Sequence, residues 1–507
     1  MNEKKSFKER LDSFFKVKES GSSFKVEIFA GIATFLAMAY ILTVNPNSIL
    51  WGGTADPRWS SVFIATAIGA VIGTLLMALV AKMPFAQASG MGLNSMVGTI
   101  VGGGMGLAFS LGNALMLVLI SGLVFVILTF IPCGKNKNTG KMVSLREKIF
   151  DGIPTEVRKA ITVGIGLFIA YIGLQNSRII VSDQYVISGF VDLTNAQNWA
   201  VGGPARTAVV GLFSFFVIAI LSHYNVKGSV IIGIFAATIL AIPLQVTSFD
   251  YLIERVDGVT WKFWENFTTF FSMNPDNGGV CFAVFTEGFI FPSGSLLTCI
   301  MLIITFAMID MFDTMGTVVG CATNAGLLDE TGKPINYNKI MYCDSVATVA
   351  GAVIGTSTVT TFVESGAGVA AGGKTGLTAL TTACLFFLSI FFLPIFAFIP
   401  ISAAAGALLY VGVLMMGNVT QIDFKNITNS VPAFLTIIMM LLSYSITKGI
   451  GIGMISYVVI KSTVYLIDLC KYVFKKNSDF TKPKYDVSIV SIVVCALFLF
   501  YFLVPVM

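Results

Sequence analysis

Histidine occurs once in the 507 residues, as His223, and no two of the eight cysteines are spaced as CxxC. The patterns HExxH and GxSxG are both missing. Metal-assisted and covalent chemistry therefore have no visible residues to run on, and the scattered cysteines read as small buried apolar side chains. No cofactor and no metal is expected. Charge is scarce as well. Asp, Glu, Lys and Arg make up 12% of the chain, where a soluble domain carries about 25%. A chain that is 55% hydrophobic, with a mean hydropathy of +0.85, cannot cover its surface with polar groups, so lipid must be its solvent. The net charge of +5 sits in loops and speaks of topology, not of nucleic-acid binding. The first 25 residues are polar and Lys-rich, so no cleaved signal is expected there.

What the chain has in abundance is apolar sequence in blocks. A crossing helix needs about 20 apolar residues. Such blocks run over 28–45, 61–81, 107–131, 157–175, 207–222, 228–246, 297–320, 376–399, 401–417, 430–446, 450–469 and 488–506. Three more, 85–104, 343–356 and 359–373, are apolar but rich in small residues and broken by polar ones. The expectation is an all-α polytopic membrane protein of fourteen spans with one extra C-terminal hydrophobic segment. Lys and Arg mark the cytoplasmic side. They crowd the N-terminal tail (Lys4, Lys5, Lys8, Arg10, Lys16, Lys18, Lys25) and the 133–159 loop (Lys135, Lys137, Lys141, Arg146, Lys148, Arg158, Lys159). The 247–293 loop is acidic, with Asp250, Glu254, Asp257, Glu265, Asp276 and Glu287 against Arg255 and Lys262. The N-terminus is thus expected inside and the 247–293 loop outside. The 471–486 loop (Lys471, Lys475, Lys476, Lys482, Lys484) should also be inside. The 488–506 segment after it is then either a further span or an incomplete one.

A short motif repeats. Ser89-Gly90-Met91-Gly92 recurs as Ser365-Gly366-Ala367-Gly368, 276 residues later. Each copy follows a polar or extended stretch, Phe85-Ala86-Gln87-Ala88 or Thr360-Thr361-Phe362-Val363-Glu364. Each falls in the third segment of its half, and an odd number of spans between them gives opposite orientations, the pattern of an inverted-repeat transporter. Glycine permits extended backbone, which survives at membrane depth only where protein or a water-filled cavity satisfies it. Close helix packing through small residues is the simpler account of one such motif. Two copies at matching positions, each beside a polar side chain, favour interrupted spans.

Ionisable residues within spans are costly and usually functional. Asp310 and Asp313 lie inside 297–320, three residues apart on one helix face, and Glu364 opens the second broken segment. The alternative for these carboxylates is capping or hydrogen bonding to neighbouring helices. Lys461, inside 450–469, reads as a side chain that snorkels to the interface. A carboxylate in low dielectric can hold a proton near neutral pH, which suits a proton-coupled carrier. It also accepts two parallel N–H donors, the edge a nucleobase or amide presents.

These residues resemble a known family, the AzgA-like purine permeases of the nucleobase–cation symporter-2 type. The resemblance is carried by Ile28 through Pro46, by Ser89-Gly90-Met91-Gly92-Leu93-Asn94, and by Asp310-Met311-Phe312-Asp313-Thr314-Met315-Gly316-Thr317. Thr361 through Gly368, leading to Gly372-Gly373-Lys374-Thr375-Gly376-Leu377-Thr378, completes it. It covers about 20–470. It implies a 7+7 inverted repeat, like that of UraA and the nucleobase–ascorbate transporters, with short strands in interrupted spans 3 and 10 that pair with each other. Core spans would occupy 26–132 and 294–399, and gate spans 156–246 and 400–472. The cytoplasmic tail would be 1–25, the loops 133–155 and 247–293, and the basic loop with its final segment 473–507. The base would lie between the two strands and spans 1 and 8, met by Glu364, Asp313, Gln87, Ala88, Ser89, Gly90, Phe362, Val363, Ser365 and Thr317. Phe85 is a further aromatic that could stack on it. Backbone N–H groups near Ser89–Gly90 and Ser365–Gly366 would donate to the base. Proton coupling would fall to Asp313 and Glu364, with Asp310 nearby. Two departures stand out: Ala88-Ser89 where the family commonly has Ala-Pro, and Lys374 where it often has Arg.

The resemblance thus implies inward transport of guanine, hypoxanthine or adenine with H+, across the plasma membrane, by elevator-type alternating access. The expected partners are a purine nucleobase, a proton and lipid, with a homodimer allowed. An anion permease of the sulfate or bicarbonate type would share the fold. Such a site should lean on helix N-termini and a basic residue, not on buried carboxylates, and such permeases usually carry a soluble regulatory domain that is not expected before Met507. A membrane enzyme could use Asp310 and Asp313 as a carboxylate pair, but no acid or base partner follows them.

Overall fold

The computed structural model describes residues 7–50, 56–103, 109–135, 142–182, 188–226, 228–247, 261–272, 278–328, 334–474 and 483–503. Several charges used to orient the chain lie outside this set: Lys4, Lys5, Lys137, Lys141, Asp250, Glu254, Arg255, Asp257, Asp276, Lys475, Lys476 and Lys482.

The apolar blocks form helices, because a backbone in lipid must satisfy its own hydrogen bonds. Among the described residues, nine helical stretches are long and apolar enough to cross a membrane: Phe24–Ile49, Trp59–Ala81, Leu111–Phe130, Thr155–Asn176, Pro204–His223, Leu296–Met315, Gly376–Ala397, Ile401–Gln421 and Ile446–Val473. Four more apolar helices are shorter: Met91–Val101, Ser229–Ala241, Ile427–Leu442 and Ile489–Leu503. Half-length and interrupted apolar elements thus stand beside the nine full-length helices. The chain is a multi-pass membrane protein.

The chain divides into two units. The first comprises Met1–Ile127, Ile169–Pro292 and Asp313–Val411, and the second Leu128–Phe168, Ser293–Phe312 and Gly412–Met507. At the centre of the first unit stands the Trp59–Leu76 helix. It packs on the Ile41–Ile49, Tyr337–Ile354 and Gly376–Ser389 helices and on two short strands. Its residues are buried on most sides, including Ser60, Ser61, Thr66 and Thr74, as expected of a helix enclosed by others.

The two strands are the extended stretches of the repeated motif. Gln87–Ser89 and Val359–Thr361 pair antiparallel, in the register Gln87 with Thr361, Ala88 with Thr360 and Ser89 with Val359. The pairing extends by one bond at each end, from Gly90 N–H to the Thr358 carbonyl (3.0 Å) and from Phe362 N–H to that of Ala86 (3.1 Å). A two-stranded sheet leaves its outer edges unpaired, and here side chains serve them. The Thr74 hydroxyl accepts from Gln87 N–H and donates to Gln87 O, both at 3.0 Å. Asn94 Nδ2 donates to Ser89 O (3.2 Å) and the Thr348 hydroxyl to Val359 O (3.3 Å). Gly73 lets the sheet lie against the central helix: a Cβ there would stand 2.8 Å from Val359 Cγ1 and 2.9 Å from Gln87 Cβ. The paired strands expected for interrupted spans 3 and 10 are present.

In the second unit, Thr155–Asn176 packs with Ile427–Leu442 through Ala160, Val163, Ala433 and Ile422. The C-terminal Ile489–Leu503 helix sits on Ile446–Phe474, where Gly451 faces the Phe498 ring. Its start is tied to Gly152 O by the Ser491 hydroxyl (2.9 Å) and by that of Ser488.

Candidate functional site

A strand's side chains alternate between faces, and this sorts the expected site residues. One face of the pair looks toward the central helix. Gln87 Nε2 donates to the Thr361 hydroxyl (3.3 Å), and Ser89 Oγ lies 2.6 Å from Thr356 Oγ1. Thr356 also accepts from Asn45 Nδ2 (2.9 Å), which reaches Thr66 as well (2.6 Å). The Ser357 hydroxyl donates to Asn94 Oδ1. The Ser365 hydroxyl accepts from Ala86 N–H at 3.0 Å. Gln87, Ser89 and Ser365 are thus engaged in fastening the sheet, and all three are fully buried.

The other face carries Ala88 and Thr360. The Thr360 hydroxyl donates to Asp313 Oδ2 at 3.4 Å, and a Cβ on Gly90 would stand 3.7 Å from the same oxygen. Asp313 lies on the Leu296–Ala325 helix. Glu364 follows the second strand by three residues. The Tyr40 hydroxyl, beside Met91 Sδ (3.6 Å), donates to Glu364 Oε1 at 2.6 Å. Tyr40 sits at the break between the Phe24–Met38 and Ile41–Ile49 helices. Elements far apart in sequence thereby bring Tyr40, Gly90, Met91, Asp313, Thr360 and Glu364 to one place. Such a cluster offers two carboxylates, a phenol and a hydroxyl beside an extended backbone, groups able to hold a planar polar molecule by its edges.

Thr317 is buried one turn beyond Asp313, Phe362 and Phe85 are buried, and Val363 is half-exposed. Asp310 is fully buried one turn before Asp313, within the second unit. The backbone donors expected near Gly90 and Ser365–Gly366 are already engaged. Gly90 N–H serves the sheet, Ser365 N–H donates to Phe362 O (3.1 Å) and Gly366 N–H to Val363 O (2.9 Å). The reason is local: a turn after a strand closes its own i to i+3 bonds. Met91 and Gly92 open an eleven-residue helix whose Gly90 cap has no side chain to offer, so first-turn amides there are the available donors.

Three residues escaped the sequence reading. Tyr40 stood in plain view in the first apolar run, and its signal was a phenol in a span, which needs a partner. Thr360 belonged to a stretch noted only as polar. Asp344, fully buried in the small-residue-rich 343–356 block, accepts from the Thr314 hydroxyl at 2.5 Å. Its signal was the same as that of Asp313, a carboxylate in an apolar segment.

Comparison with known proteins follows from this geometry. The family described as Permease family (Xan_ur_permease) matches residues 25–452. The adenine permease AdeP of Escherichia coli is 35% identical over 452 residues, 89% of this chain and 90% of that one. The guanine/hypoxanthine permease PbuO of Bacillus subtilis is 36% identical over 454 residues, 88% of this chain and 94% of that one. Among solved structures, the transmembrane domain of a cyanobacterium bicarbonate transporter, BicA, aligns with a TM-score of 0.55 at 15% identity, over 86% of this chain and 97% of that one. That likeness is one of fold. The chain belongs to the Xan_ur_permease family.

Proposed function

From this membership and the site's geometry, we propose that the protein imports purine nucleobases across the plasma membrane by proton symport. The observation that carries the reading is the acidic cluster beside the paired strands, Asp313 with Thr360 and Glu364 with Tyr40. Glu364 accepts ring N–H donors through its carboxylate. Asp313 takes the opposite edge or the coupling proton, and two carboxylates in one buried site can share a proton. Asp310, three residues before Asp313 in the chain, is a further candidate proton acceptor. Amides at the start of the Met91–Val101 helix meet the base's acceptors. The names of the relatives AdeP and PbuO support a purine as cargo.

The core spans, 26–132 and 294–399, carry the site, and the gate spans, 156–246 and 400–472, form the surface against which the core moves as an elevator. The Lys-rich N-terminal tail faces the cytoplasm. An anion cargo is disfavoured by the site's acidity, since a buried carboxylate repels an anion. Uptake of radiolabelled adenine, guanine and hypoxanthine in a permease-null host tests the reading. Wild-type uptake with loss in Glu364→Gln is the expected result. Full uptake by Glu364→Gln would overturn the role of that residue, and sulfate transport without purine transport would overturn the reading.

A further inference from the structure

The Gly372–Gly376 motif has no part in the site just described, nor does a buried acid that meets it. Glu27 is fully buried in the first turn of the Phe24–Met38 helix. Its Oε1 accepts from Lys374 N–H (3.1 Å), and its Oε2 from Thr375 N–H (3.2 Å) and the Thr378 hydroxyl (2.6 Å). Thr375 is the N-cap of the Gly376–Ser389 helix, where a negative charge is favoured by the helix dipole. Roughly 20 Å further along the same chain segment, at 1.5 Å per residue, Tyr40 bonds Glu364. Between these two ties the interrupted segment lies directly on the helix. A Cβ on Gly368 would stand 2.8 Å from Ala30 O, and one on Gly373 would stand 2.9 Å from Ala30 Cβ. The segment 364–375 is therefore pinned to 24–40 at both ends, with close contacts at Gly368 and Gly373 between them.

We propose that Glu27 is a positioning residue for Glu364: it locks the Gly372–Thr375 turn to the first helix and so fixes where the Glu364 carboxylate stands. The inference rests on Glu364 being the base-binding carboxylate. A carboxylate is required because both of its oxygens accept. A glutamine would turn an NH2 donor toward one of the two backbone N–H groups and leave that group buried and unpaired. The perturbation then passes along 365–371, the short stretch that links the turn to Glu364 and is packed against the first helix at Gly368.

The test is Glu27→Gln in the full-length protein, measured by purine uptake and by site-resolved alkylation. The expected result is normal abundance in the membrane and a KM raised about tenfold, the weight of one charge-assisted hydrogen bond. Combined with Tyr40→Phe, the effects on KM should be less than additive, because both substitutions release the same carboxylate. A purely structural role would lower the melting temperature and leave KM within about twofold, which overturns the proposal. Should Glu27→Gln fail to accumulate, Thr378→Val removes one of the three donors and must show a smaller rise in KM; an unchanged KM there also overturns it. A purine-independent measurement separates this inference from the transport reading. Cys321 Sγ lies 3.8 Å from the Val363 carbonyl and is 5% exposed. Loosening 364–375 should raise its rate of alkylation at least severalfold, even if the wild type carries no purine. Unchanged Cys321 labelling in folded Glu27→Gln refutes the lock whatever the cargo proves to be.

Discussion

Tyr40→Phe removes one oxygen and no volume that packing would miss, and its consequence can be worked from the geometry. In the structure the Tyr40 hydroxyl takes one acceptor site of Glu364 Oε1 at 2.6 Å, so a base donor on that oxygen must share it with the phenol. A bond of this kind to a charged group is worth about 1.5–3 kcal/mol. Removing it frees an oxygen for a second donor while loosening the carboxylate that receives it. Guanine presents two adjacent N–H donors on one edge and hypoxanthine presents one. Only guanine can convert the freed oxygen into a parallel pair of bonds. If loosening costs both bases alike, guanine gains by one bond less its desolvation, about 1.4 kcal/mol or tenfold. Competition of labelled hypoxanthine uptake by unlabelled guanine and by unlabelled hypoxanthine, in wild type and variant, reads this ratio directly. A ratio of inhibition constants unchanged within twofold, in a variant that still transports, would refute the assignment of Tyr40 as the partner that competes with the base for Glu364 Oε1.

Three other outcomes follow from the same structure. Asp313→Asn should uncouple uptake from a proton gradient while leaving exchange of labelled for unlabelled base in proteoliposomes, so gradient-driven accumulation in the variant would remove Asp313 from the coupling. Gly73→Ala places a Cβ 2.8 Å from Val359 Cγ1 and 2.9 Å from Gln87 Cβ. Overpacking of this kind costs about 1–3 kcal/mol, so the melting temperature in detergent and the uptake rate should both fall with helical content retained. Outside the spans, partial burial alone would raise the Asp56 carboxyl, but bonds from Arg58 Nη2 (2.7 Å), Nε (3.0 Å) and backbone N–H (2.9 Å) outweigh it and hold the group below the usual range. A carboxyl depressed in the folded state adds stability above its unfolded value, and that contribution fades as pH falls through the folded value. Asp56→Asn should therefore melt below wild type near neutral pH and match it below about pH 3; a gap that persists in acid would contradict the ion pair.

How far the sequence could be read depended on which physical signal each part leaves. Long apolar runs announce helices, since lipid allows the backbone little else. The strands were legible through the repeat, because two Gly-rich breaks at matching positions need a common reason. Partner identity was not legible. Gln87 and Ser89 are polar residues beside a break, the usual mark of a ligand site, yet strand alternation turns them to the supporting side, and only the register fixes which parity faces which way. Glu27 lay directly before the first apolar run, at the edge of the expected core spans, where a carboxylate reads as an ordinary interfacial charge. Its burial depends on a turn nearly 350 residues away, a juxtaposition no local pattern reports. Tyr40 was missed for the opposite reason: its local pattern was hydrophobic enough to hide a hydroxyl that acts at the site.

The division of the sheet into two faces explains why so short a pair of strands can persist among helices. Each three-residue strand has few backbone partners of its own, and an unsatisfied N–H or C=O in a lipid-enclosed interior costs several kcal/mol. Thr74, Asn94 and Thr348 remove that cost at the edges. The Thr66–Asn45–Thr356–Ser89 chain then anchors the supporting face with side chains from the neighbouring helices. Such a network is rigid because breaking any one bond strands another polar group. That rigidity is what allows the opposite face to be sparse, with Ala88 small, Thr360 offering one hydroxyl and Gly90 offering none. A flat, lightly furnished surface flanked by Asp313 and Glu364 can admit a planar ring against the sheet. The same carboxylates on a flexible loop would collapse onto the nearest donors instead. The polar residues that look most like binding residues are therefore the ones that fasten the sheet and leave its opposite face open.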